Sequence, residues 1–120
     1  MNQNKAQGES DTITVLSDPV DLTPNLNVEK KSMVLFEMTA CPYCRMFKER
    51  FLELVASRAR DFDFLRVTLD DPGNPLWHRY EIRAVPTVIV FAKGQIVSRL
   101  DSILFLGITK KNWTEFCAGL

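Results

Sequence analysis

Met33-Val34-Leu35-Phe36-Glu37-Met38-Thr39-Ala40-Cys41-Pro42-Tyr43-Cys44 is the stretch that decides how this 120-residue chain folds. Its first half, Met33 to Met38, is almost continuously apolar, which fits a β-strand covered on both faces. Its second half sets two cysteines three positions apart, directly ahead of a helix-like run from Arg45 to Arg60. A cysteine at a helix start meets unpaired backbone N–H groups and the positive end of the helix dipole, which favour thiolate over thiol. The thiolate is the nucleophilic form. A pair placed this way can close a small disulfide ring and open it again, so the position points to redox chemistry. The same spacing is half of a zinc site, but there is no second Cys-x-x-Cys and His78 is the only histidine. A tetrahedral site within one chain is therefore not expected.

Working outward, residues 1 to 11 are polar and read as a disordered tail, leaving one folded domain over 12–120. Thr12 to Leu16 is β-prone and reads as an edge strand. Ser17-Asp18-Pro19 resembles a helix start, and Pro24-Asn25 makes that helix short or irregular. From Pro42 to about Ala59, Met46, Phe47, Phe51, Leu54 and Val55 recur at helical spacing. Phe62 to Leu69 is the next strand, Asp70 to Asn74 a turn, and Pro75 to Tyr80 a short helix. Thr87 to Phe91 and Gln95 to Leu100 flank the hairpin turn Lys93-Gly94. Asp101 to Gly107 reads equally as strand or packed loop. Thr109 caps a last helix whose apolar face carries Trp113, Phe116 and Cys117, with Cys117 expected to be a buried small hydrophobe. The order βαβαβαββα implies an α/β fold, a mixed central sheet with helices on both faces.

Composition removes several function classes. At 46% hydrophobic and 25% charged the chain looks like an ordinary soluble domain. Fifteen basic and fifteen acidic residues cancel, leaving no electrostatic footprint for nucleic acid or an anionic membrane. No apolar run approaches the roughly 18 residues of a membrane span, and the start lacks the apolar segment of a secretory signal. A cytoplasmic location and a monomer are expected. Three cysteines are too few for a disulfide framework.

Cys-x-x-Cys after a buried strand, Val85-Pro86-Thr87 before the next one and this element order together resemble the thioredoxin family. The likeness runs from Ile13 to the C-terminus. It is most specific over Met33–Cys44 and over Tyr80–Gln95. It implies a cis bond before Pro86 and a protein disulfide oxidoreductase needing neither cofactor nor metal. Cys41 would be the nucleophile and Cys44 the resolving thiol. Pro42, Tyr43, Val85, Pro86 and Gly107 would contact substrate, with Val85 pairing through its backbone. Partners would be protein disulfides and an upstream disulfide reductase.

The departures from the family are informative. Cys-Pro-Tyr-Cys is typical of glutaredoxins, which keeps a glutathione-linked enzyme as an alternative, beside a module holding a metal or cluster through Cys41 and Cys44. The acid that thioredoxins bury six residues before the first cysteine is Leu35 here, and the lysine facing it matches Arg66. Glu37 points to the same side of its strand as Leu35. It is the candidate replacement proton acceptor, held by Arg66 or Arg45; the other reading is a solvated residue at the strand end. Cys41 is expected to be exposed and Cys44 less so. The segment from Gln95 to Gly107 is longer than usual, and its apolar part could pack into the core, cap the substrate site or form a dimer contact. His78, in the short helix, reads as a surface or half-buried residue.

Overall fold

The computed structural model describes residues 12–120, so the tail expected over residues 1–11 lies outside the described residues. Strands β1 (Ile13–Ser17), β2 (Lys31–Glu37), β3 (Phe62–Thr68), β4 (Thr87–Ala92) and β5 (Gln95–Leu100) form one five-stranded sheet in the order β1-β3-β2-β4-β5. β1 and β2 run parallel to β3, whereas β4 pairs antiparallel with β2 and with β5. The helices are α1 (Pro42–Arg58), α2 (Leu76–Arg79) and α3 (Lys110–Ala118). The mixed sheet and the element order are those read from the sequence, except that a 3₁₀ turn stands where the first helix was expected.

Strand alternation divides the core in two. Met33 and Leu35 of β2, Phe62 and Phe64 of β3, and Val88 and Val90 of β4 face α1 and α3, meeting Phe47, Phe51, Val55 and Trp113. Val34, Phe36, Leu65, Val67, Ile89 and Phe91 face the other way, against Leu22, Leu76 and Ile82. β2 lies between β3 and β4 and is buried on both sides, as its unbroken apolar run requires. Each fully buried Phe contributes about 1.5–3 kcal/mol of burial free energy. Phe47 and Phe51 anchor α1 in this way, and Phe47 meets the Trp113 ring edge-on at 4.8 Å between centroids.

Three local expectations change. No helix begins at Ser17-Asp18-Pro19. Asp18 takes a left-handed φ of 45°, its N–H bonds Thr68 and its carboxylate accepts the Asp71 N–H. That turn ties the end of β1 to β3, and the only helical turn in the region is a 3₁₀ turn at Thr23–Asn25. Met46 is 68% exposed, because the buried stripe of α1 runs through Cys44, Phe47, Phe51 and Val55 and leaves it on the flank. Cys117 is half-buried rather than fully buried, since α3 ends at Ala118, one residue after it. Burial still raises its thiol above the ordinary range. The two-residue turn at Lys93-Gly94 has positive φ at both positions, the geometry a tight hairpin needs.

Candidate active site

The site forms where β2 ends and α1 begins. Asp70, just past β3, accepts hydrogen bonds from the Thr39 N–H at 2.8 Å and from the Thr39 hydroxyl at 2.6 Å. These bonds hold the Asp70 carboxyl below its ordinary range and fix the turn that delivers the chain to Cys41. Cys41 is the N-cap of α1, with extended backbone (φ −137°, ψ 107°). Its Sγ accepts the Cys44 N–H at 3.2 Å, doing with sulfur what a capping Ser or Asp does with oxygen. Pro42 fills the first helical position, where a missing N–H costs nothing.

Cys41 and Cys44 are both free thiols. Cys41 is 8% exposed and Cys44 3%, so the expected ranking holds, but Cys41 is sheltered rather than open. Its cover includes the loop before β4: the Cys41 thiol points to the Val85 carbonyl at 3.9 Å, and the Val85–Pro86 bond is cis, as the resemblance implies. The Val85 N–H makes no hydrogen bond among the described residues. Burial, above all, drives the Cys44 thiol well above the ordinary range. The Cys41 hydrogen bond and the charges of Cys41 and Glu37 add to the rise, and the Met38 backbone opposes it.

Glu37 is not a solvated strand end. It is the last residue of β2, on the face shared by Met33 and Leu35, and that face lies under α1. Its side chain is 8% exposed, and Oε2 accepts the Arg66 Nε–H at 2.8 Å. Arg66 stands opposite Leu35 in the β2–β3 register, so it reaches one pleat along to Glu37. A cleft of about 220 Å³ joins Glu37, Arg66, Cys44, Thr39 and Lys48, placing carboxylate and buried thiol on one polar space. Arg45, the other suggested partner, lines the cleft but makes no ion pair with Glu37 among the described residues.

Gly107 has a φ of +72°, and a Cβ there would stand 3.0 Å from both Cβ and Cδ1 of Tyr43. Only glycine permits both that backbone and that approach. The Tyr43 hydroxyl donates to the Phe105 carbonyl at 2.8 Å, so the extra segment is tied to the active-site helix and does not enter the core. His78 is exposed on α2, with no side-chain partner among the described residues.

Sequence reasoning missed three supports. The Ser102 hydroxyl donates to the Pro86 carbonyl, Arg99 donates to the carbonyls of Tyr80 (2.9 Å) and Glu81 (3.3 Å), and Asp70 holds Thr39. Each reaches across 16 residues or more, and no local pattern signals it. Among the described residues no group of three or more His, Cys, Asp or Glu is placed to hold a metal ion. No described helix is long and apolar enough to cross a membrane.

A dithiol capping a helix, opposite a cis-proline loop with a free backbone N–H, defines a thiol–disulfide exchange site. Comparison with known proteins agrees. The profile of the thioredoxin-like domain family matches residues 21–104. Thioredoxin of Mycoplasmoides gallisepticum is 32% identical over 84 residues, spanning 70% of this chain and 82% of that protein. Chloroplastic thioredoxin M4 of Arabidopsis thaliana is 35% identical over 89 residues, spanning 74% of this chain and 44% of that protein. The oxidised mitochondrial thioredoxin 3 of Saccharomyces cerevisiae superimposes with a TM-score of 0.67 at 21% identity, covering 93% of this chain and 99% of that one. The chain belongs to the thioredoxin-like domain family. It is a thiol–disulfide oxidoreductase.

Proposed function

We propose that this protein reduces disulfides in polypeptide substrates through Cys41 and Cys44, and is itself re-reduced by an upstream disulfide reductase. The observation that carries the reading is the position of the Cys41 sulfur, between the Cys44 N–H at 3.2 Å and the Val85 carbonyl at 3.9 Å. A substrate strand pairs with the free Val85 N–H and brings its disulfide to Cys41. The Cys41 thiolate attacks one substrate sulfur; the Cys41–substrate bond forms, and the other substrate sulfur leaves as a thiolate. Cys44 then gives up its proton and attacks Cys41. The Cys41–Cys44 disulfide forms, the second substrate thiolate leaves, and two electrons have passed to the substrate.

The burial of Cys44 makes that proton the difficult one, and Glu37 is its acceptor, directly or through a water in the shared cleft. Pro42, Tyr43, Pro86 and Gly107 complete the substrate surface around Cys41. The protein works as one folded domain over residues 12–120, as a monomer in the reducing cytoplasm. The low cysteine count and a bacterial relative support that location.

The test is turnover of a protein disulfide with dithiothreitol as donor, run beside a glutathione-coupled assay. The dithiothreitol reaction is expected to dominate. Cys44→Ser should accumulate a mixed disulfide through Cys41, whereas Cys41→Ser should form none. Trapping through Cys44 in the Cys41→Ser protein would overturn the assignment of roles. Faster turnover with glutathione would shift the reading to a glutathione-linked enzyme, the alternative that Cys-Pro-Tyr-Cys favours.

A further inference from the structure

Ile103, Leu104, Phe105 and Leu106 are 43%, 72%, 79% and 58% exposed, a run of large apolar side chains turned to solvent. Singly exposed apolar residues are ordinary, but a contiguous group of them marks an interaction site. The loop that carries them is well held. Ile103 and Gly107 exchange backbone hydrogen bonds at 2.9 and 2.8 Å, and the Leu106 N–H also bonds the Ile103 carbonyl at 2.9 Å. Phe105 keeps a left-handed φ of 68°, unusual for an aromatic residue, with its carbonyl bound by the Tyr43 hydroxyl at 2.8 Å. Backbone strain in a fixed, exposed loop is a pointer to function. Because its backbone bonds close on themselves, the loop offers side chains and not a strand edge.

We propose that this loop is a specificity element, taking apolar side chains that flank the cysteine of an extended, disulfide-bearing polypeptide. The inference rests on the reading that Cys41 exchanges disulfides with polypeptides. Two observations choose this occupant. The loop is continuous with the exchange site: it is anchored at Phe105 and Gly107 on Tyr43, which lies two residues from Cys41 in the first turn of α1. One helical turn is about 5.4 Å, and an extended chain advances about 3.3 Å per residue. The loop therefore meets positions about two removed from the substrate cysteine. The second observation is size. At roughly 200 Å² per large side chain, the exposed parts amount to on the order of 500 Å², below the roughly 800 Å² per partner of a stable dimer. A patch of that size suits a transient contact with a passing chain.

The test compares wild type with Leu104→Ser/Phe105→Asn. Asn tolerates the left-handed φ, so the loop backbone is kept. Two disulfide-linked peptides are used, alike except for Leu and Phe or two Ser at the flanking positions, together with bis(hydroxyethyl) disulfide. The double variant should raise KM for the apolar peptide about tenfold with kcat unchanged, leaving the Ser peptide and the small disulfide as they were. A second arm needs no redox chemistry: Kd is measured for the same peptides with Ser in place of Cys. Wild type should prefer the apolar peptide about tenfold, and the double variant should not. Equal affinity of wild type for the two peptides, or equal weakening of both by the double variant, overturns the proposal. So does a wild-type dimer that the double variant disperses. If wild type reduces none of the disulfides yet keeps its peptide preference, the reductase reading fails, and the part of the proposal that gives the loop its apolar side-chain preference is upheld by itself.

Discussion

Replacing Glu37 by Gln separates the charge that its carboxylate sets near Cys44 from the proton-acceptor role proposed for it, and the two effects have opposite signs. As a charge, Glu37 helps hold the Cys44 proton on, but it is the weakest of the influences that raise that thiol, behind burial and Cys41. Removing the charge alone would ease ionisation and quicken resolution, within about tenfold. As the proposed proton acceptor, Glu37 would lower the barrier to resolution, and losing a positioned base costs about 10²–10⁴ in rate. That corresponds to about 3–5 kcal/mol. The acceptor term is the larger, so Glu37→Gln should slow resolution by 10-fold or more on balance. The fold should survive: the Gln carbonyl still accepts the Arg66 Nε–H, now bonded at 2.8 Å, at a cost of about 1–2 kcal/mol for the lost charge. The assay loads Cys41 with a chromogenic aryl thiol and follows its release by Cys44 in a single turnover, across pH, with urea melts checking stability. The variant should be slow near neutrality and approach wild type as hydroxide takes over in alkali. Release as fast as wild type, or faster, with an unchanged pH profile would refute the acceptor role and leave Glu37 as the structural partner of Arg66.

Three further outcomes are expected. Gly107→Ala forces a Cβ to 3.0 Å from Tyr43 at a φ of +72°, and should cost roughly 1–3 kcal/mol in urea melts while weakening protein-disulfide turnover. Ser102→Ala removes the hydroxyl that holds the Pro86 carbonyl; KM for a protein disulfide should rise a few-fold with kcat kept, at about 1 kcal/mol of stability. Because Cys44 is raised in the folded dithiol protein, its contribution to stability is complete below the ordinary thiol range near pH 8.5. Above that, the unfolded chain loses the proton first and stability falls by up to about 1.4 kcal/mol per pH unit. Urea midpoints of wild type and Cys44→Ala, measured from pH 7 to about 10, should therefore draw together in alkali.

Much of this is visible in the linear chain because its signals are local. The alternation of Met33 and Leu35 against Val34 and Phe36 specifies a strand with a core on each side. Phe47, Phe51 and Val55 specify the buried stripe of α1, and the cysteines at its start specify a capped dithiol. Met46 fits the same three-and-four spacing but lies off the stripe, and only the helix's orientation on the sheet exposes it. Period cannot say where a helix face ends.

What the sequence by itself determined is the fold and the dithiol that caps α1, since β-alternation, helical period, turn residues and N-cap chemistry act between near neighbours. It also put Glu37 on the side of Leu35. Whether that side was wet or dry waited on β3: the parallel register sets Arg66 opposite Leu35, and so turns a strand end into a part-buried ion pair on the cleft that Cys44 also lines. Likewise Asp70 on Thr39, Ser102 on Pro86 and Phe105 on Tyr43 join residues 31, 16 and 62 positions apart. Such contacts are decided only when the whole sheet and its loops bury surface together, because no local preference selects one distant partner over another.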